Sequence, residues 1–104
     1  MFRVTVLQDG DSVVYRLEGE LAGESVESLR ESWNGVADSG NGFHIVDLNG
    51  VVRIDAAGLQ LLSMMNLAGV RFVARAPYTR GLLAEFGART YDELPRRRPR
   101  TGNA

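Results

Sequence analysis

The sequence predicts an α/β fold: an N-terminal β-hairpin, then alternating helices and strands, giving a mixed four- to five-stranded sheet with helices packed on it. Three observations predict it. Phe2, Val4 and Val6 alternate with polar residues, as do Val13, Tyr15 and Leu17, on either side of Asp9-Gly10-Asp11. Residues 22–37 place Ala22, Val26, Leu29, Trp33 and Val36 on one narrow stripe at helical spacing. Residues 43–48, FHIVDL, form a nearly continuous apolar run rich in β-branched side chains.

Each element follows from local chemistry. The two alternating runs read as half-buried strands, and Gly10 is free to take positive φ in a tight turn, so these strands pair antiparallel. The stripe on 22–37 reads as an amphipathic surface helix, closed by the loop signal Asp38-Ser39-Gly40-Asn41-Gly42. FHIVDL suits a central strand covered on both faces, and NGVVRID at 49–55 reads as the turn region after it. A second helix follows over 56–69, with Gly69 as its stop. VRFVAR at 70–75 is a further strand. A third helix runs over 77–87, with Thr79, Leu82, Leu83 and Phe86 on one side and Gly87 as its stop. ARTYDEL at 88–94 is ambiguous between loop and short strand. The parallel pairs implied by this order need right-handed crossovers.

Composition excludes several classes. At 104 residues the chain suits one domain with a single core. We expect that domain over 1–94 and a basic tail over 95–104. No apolar run approaches the roughly 18 residues of a membrane span, and the N-terminus alternates where a signal peptide would be uniformly apolar. There is no cysteine, hence no disulfide or thiolate metal site, and a cytoplasmic location is the default. The net charge of −1 hides an asymmetry: every basic residue is arginine, and four lie between Arg96 and Arg100. Such a tail can serve as a nucleic-acid or membrane arm. Five residues without aromatics make a weak patch, so a solvated C-terminus is favoured and no nucleic acid is expected.

Catalytic chemistry finds no support. His44 lies inside the central strand between Phe43 and Ile45, a structural setting. Asp47 and Asp55 stand at opposite ends of a strand-turn unit, without the convergence that acid–base work needs. No phosphate-cradling glycine motif, metal-ligand cluster or serine–base pairing is present, so no catalytic residue, metal or cofactor is expected.

The second helix carries the informative pattern. Leu61, Leu62, Met64, Met65 and Ala68 spread over a broad face suited to the sheet, opposite Gln60, Ser63 and Asn66. Leu59 and Leu67 fall within the polar stripe, at i, i+4, i+8 with Ser63, and so are expected to face solvent. An exposed apolar stripe on a helix is the usual form of a partner surface; cover by the third helix or the tail is the plain alternative. Asp55 is a preferred N-cap. Gly58 costs roughly 1 kcal/mol inside a helix relative to alanine, which points to close approach by a neighbouring element or a partner.

YRLEGELAG at 15–23 and VDLNGVVRIDAAGLQLL at 46–62 together resemble the STAS domain family, over roughly residues 2–90. That family includes bacterial anti-sigma factor antagonists, domains of sulfate transporters and a soluble subunit of a phospholipid transporter. In the antagonists the loop usually reads Asp-Ser-Ser-Gly, and a kinase that is also the anti-sigma factor phosphorylates the second serine, weakening its own binding. Asp55 and Gly58 match that motif; the serine positions hold Ala56 and Ala57. The phosphoacceptor position is therefore Ala57, which has no hydroxyl. Ala22 stands where an acidic residue often follows the Gly-Glu-Leu motif. The resemblance implies a non-enzymatic module that binds a protein partner, an anti-sigma factor or serine-kinase-like protein, through Asp55, Ala56, Ala57, Gly58, Leu59, Ser63 and Leu67. An accessory subunit of a membrane transporter ATPase, not itself membrane-embedded, and a small-ligand or nucleotide-binding module are the alternatives.

Overall fold

The computed structural model describes residues 1–37 and 43–91. The expected loop at 38–42 and the basic tail at 95–104 lie outside the described residues. The elements are β1 (Phe2–Asp9), β2 (Ser12–Leu21), α1 (Glu24–Ala37), β3 (Phe43–Ile54), α2 (Ala56–Leu67), β4 (Arg71–Val73), α3 (Pro77–Ala84) and β5 (Thr90–Tyr91). The five strands form one sheet in the order β1-β2-β3-β4-β5. β1 and β2 are antiparallel across a turn in which Gly10 takes φ 60°, and the other neighbouring pairs are parallel. The ambiguous segment after α3 supplies the two-residue β5.

All three helices contribute to a single cluster on one face of the sheet. Val26 and Leu29 of α1, Leu61, Leu62 and Met65 of α2 and Leu83 of α3 pack with Val13, Tyr15, Leu17, Val46, Leu48 and Phe72. Each fully buried aliphatic side chain here stabilises the fold by about 1.5–3 kcal/mol. The opposite face holds a smaller cluster of Val14, Ile45 and Val73, with Tyr91 packed against it. Adjacent residues such as Val14 and Tyr15 therefore face opposite sides, as strand alternation requires.

The segment NGVVRID differs from its sequence-based expectation. It does not turn; β3 continues through it to Ile54. Leu48, Val51 and Ile54 bury their side chains in the main cluster, and this burial overrides the Asn-Gly turn signal. The chain absorbs the irregularity as register shifts against β2, between Arg16 and Glu18 and between Gly19 and Glu20. Gly50 allows the close passage, since a Cβ there would lie 2.9 Å from the Leu17 carbonyl oxygen. The extension matters because it carries Asp55 and α2 well beyond the short strand β4, whose pairing with β3 ends at Asp47 and Val73.

Candidate functional site

The loop after β3 is built on Asp55. Its backbone N–H donates to the Leu21 carbonyl at 3.1 Å, continuing the contact with β2. Its side chain then caps α2: the Gly58 N–H donates to Oδ1 at 2.7 Å, while the Gly23 N–H, in the β2–α1 connection, donates to Oδ2 at 3.0 Å. One carboxylate thus joins two loops at the same end of the sheet. The Gly58 bond first, then the Gly23 bond, with a further contribution from the charge of Arg53, lower the Asp55 pKa below its ordinary value of 3.8.

Gly58 answers the question its position raised. It is buried, and a Cβ there would lie 2.6 Å from the Leu21 carbonyl oxygen and 3.1 Å from Leu21 Cγ and Ile54 Cγ2. The close neighbour is the end of β2. Gly58 therefore belongs to the scaffold beneath the loop, and only its neighbours Ala56 and Ala57 are exposed.

The face of α2 is rotated from its expected position. The buried side runs through Gly58, Leu61, Leu62 and Met65. Glycine carries no hydropathy signal, so a pattern read from large apolar residues alone misplaces the centre of this face. The offset is roughly 50°, half of one residue step in a turn of 3.6. Three residues change sides. Met64 and Ala68, expected on the sheet, are exposed, Met64 at 46%. Leu59, expected in solvent, is half-buried against the main cluster. Leu67 is exposed as expected, at 84%. The exposed stripe of α2 consequently reads Ala57, Gln60, Met64, Leu67.

Beside that stripe lies a shallow groove of about 360 Å³ between α2 and the end of α3. Ala56, Leu59, Gln60 and Ser63 line one side and Glu85 and Phe86 the other. The third helix thus covers the Leu59 side of α2 and leaves Leu67 bare. Sequence reading missed Glu85 and Phe86 as site residues. An acidic residue at the C-terminal end of a helix, where the helix dipole disfavours it, was the available signal for Glu85. Tyr78 was also missed; its hydroxyl accepts from the Ile54 N–H at 3.2 Å and fastens the start of α3 to the end of β3.

The remaining polar candidates are engaged in the scaffold. Asp47 accepts from the Asn49 N–H at 3.0 Å and approaches Arg16 Nε at 3.8 Å. His44 Nδ1 and the Tyr15 hydroxyl share a hydrogen bond at 2.8 Å, with the rings stacked. Burial pushes the Tyr15 hydroxyl pKa up to about 12. Among the described residues no group of three or more His, Cys, Asp or Glu side chains could hold a metal ion. No described helix is long and apolar enough to cross a membrane.

A sequence profile described as "Mlab, STAS domain" matches residues 4–89. The chain belongs to the STAS domain family. No curated protein matches it in sequence. The architecture of this STAS domain is shared with solved structures. An anti-sigma factor antagonist from Mycobacterium paratuberculosis is 21% identical, with a TM-score of 0.74 over 90% of this chain and 88% of that chain. Unphosphorylated SpoIIAA, also an anti-sigma factor antagonist, is 24% identical, with a TM-score of 0.66 over 90% of both chains. A variant of RsbS from Moorella thermoacetica is 20% identical, with a TM-score of 0.66 over 88% of both chains. At these identities the likeness establishes the mixed sheet and helices of a SpoIIAA-like STAS fold.

Proposed function

We propose that this STAS domain is a non-enzymatic, cytoplasmic regulatory module that binds a protein partner through the loop and helix 55–67, and that phosphate does not switch this binding at the loop. The observation that carries the reading is the exposure of Ala56 and Ala57 at the first turn of α2, continuous with Gln60, Met64 and Leu67. The loop keeps its geometry through Asp55 and Gly58 while presenting only methyl groups. SpoIIAA has been solved in a phosphorylated form; the position that the family resemblance makes the phosphoacceptor, Ala57, has no hydroxyl here. A phosphate would add about −1.5 to −2 charges beside a packed surface, and this chain cannot receive one at Ala57. The partner class that fits is an anti-sigma factor of the kinase-like type.

The test is recovery of the partner from the native cell with the full chain as bait and mass spectrometry of what is retained. The same bait carrying Ala57→Glu or Leu67→Arg serves as control. We expect a kinase-like anti-sigma factor with the native chain and its loss with both variants. Equal retention by all three baits contradicts the surface. A second reading, an accessory subunit of a transporter ATPase, is the alternative that the STAS resemblance also implies. Recovery of an ATPase through the same surface selects it.

A further inference from the structure

We propose that the groove between α2 and α3 receives a partner segment that presents an apolar side chain next to an arginine or lysine. This rests on the reading of α2 as the partner surface and names the chemistry of what docks there. The walls of the groove are apolar: Leu59 and Phe86 are half-buried and pack against the main core. Its one charged lining residue is Glu85, exposed on the rim. Glu85 is the C-cap of α3, and the last turn of that helix carries no basic residue. The C-terminal end of a helix holds partial negative charge and favours a cation. A carboxylate placed there adds to that charge instead of offsetting it. Among the described residues no basic side chain stands at ion-pair distance from Glu85. An arriving guanidinium or ammonium group would meet the carboxylate, while its apolar neighbour would enter between Leu59 and Phe86. Ala56 and Ala57 bring no opposing charge to the adjoining rim. Anchors of this kind, an apolar group in a pocket with a charge at its edge, commonly dominate binding at protein interfaces.

The probe is phenethylguanidinium, compared with neutral phenethylurea and anionic 3-phenylpropionate, titrated into the full chain and followed by amide NMR shifts. The expected order of affinity is cation, then neutral, then anion, with shifts centred on Leu59, Ser63, Glu85 and Phe86. Glu85→Gln is expected to weaken the cation by about two- to fivefold, in the range of one exposed ion pair, and to leave the neutral probe unchanged. Added salt is expected to weaken the cation alone. Equal affinity of the three probes, or shifts that map elsewhere, overturns the proposal. A groove that accepts the cation only after Arg96, Arg97, Arg98 and Arg100 are all replaced by glutamine also overturns it, because the occupant is then the chain's own basic segment. So does cation binding that is lost as the chain self-associates, which assigns the groove to a second copy. Loss of partner capture in Leu67→Arg together with unselective probe binding would sink this proposal alone and leave the protein-binding reading standing.

Discussion

Gly23 is tied to Asp55 across 32 residues of sequence, its N–H donating to Oδ2 at 3.0 Å. The other carboxylate oxygen caps α2 through Gly58. The loop that resembles a phosphorylation switch is thus held in a fixed shape by its first and last motif residues, whatever stands between them.

That tether gives stability a defined acid dependence. Backbone donors from Gly58 and then Gly23 lower the Asp55 pKa in the folded state. A depressed carboxylate contributes stability that is present above its unfolded value and is lost as pH falls through the folded value. Urea melts of the native chain are expected to lose stability as pH falls below about 4. Asp55→Asn is expected to be less stable at neutral pH and to lose less on acidification, because the residue at 55 no longer titrates. Parallel acid profiles for the two proteins would contradict the tether.

Gly58→Ala sets two effects against each other. Alanine gains roughly 1 kcal/mol of helix propensity over glycine. Its Cβ, however, would sit 2.6 Å from a backbone carbonyl oxygen that the β2–β3 ladder holds in place. Overpacking of this kind costs about 1–3 kcal/mol. We expect net destabilisation by chemical denaturation, and an increase in stability would show that the two segments are not in close contact.

Tyr15→Phe removes a buried hydroxyl that shares a hydrogen bond with His44. The expected loss is about 0.5–1.5 kcal/mol near neutral pH. Burial raises the Tyr15 pKa from 10.0 to about 12, so native stability falls as pH rises through that window, where the unfolded chain has already lost the proton. Phenylalanine cannot titrate, and a stability profile between pH 10 and 12 should be flatter for the variant.

Leu67→Arg and Leu59→Arg are expected to separate surface from scaffold. Leu67 is 84% exposed, so its replacement should change stability by no more than about 0.5 kcal/mol. Leu59 packs beside Phe86 against the core, and an arginine there is expected to lower the melting temperature. Equal thermal stability of the two variants would contradict the rotated face of α2.

The order of elements was legible because burial is periodic. Val26, Leu29 and Trp33 on α1, and the nearly continuous Phe43–Leu48 run, each have one physical solution. Asp55 as a cap was equally legible, because few side chains accept from a helix N-terminus. The continuation of β3 past Asn49 was not, since the Asn-Gly pair signals a turn, and the burial of Val51 and Ile54 in the core overrides it. The face of α2 was misplaced for a related reason: its centre is marked by Gly58, whose role is to be small against Leu21. The groove was illegible as well, because Glu85 and Phe86, just past the end of α3 and more than twenty residues from Leu59, meet it only through tertiary packing.

The most direct measurement of the central claim is a binding titration of the recovered partner, once purified, against the native chain, Ala57→Glu and Leu67→Arg, with each protein's fold verified by its amide NMR spectrum. Both variants are expected to keep the native spectrum outside α2 and to bind at least about tenfold more weakly, as residues central to an interface do. Native affinity in both folded variants would place the partner elsewhere on the domain and contradict the assignment of 55–67 as its binding surface.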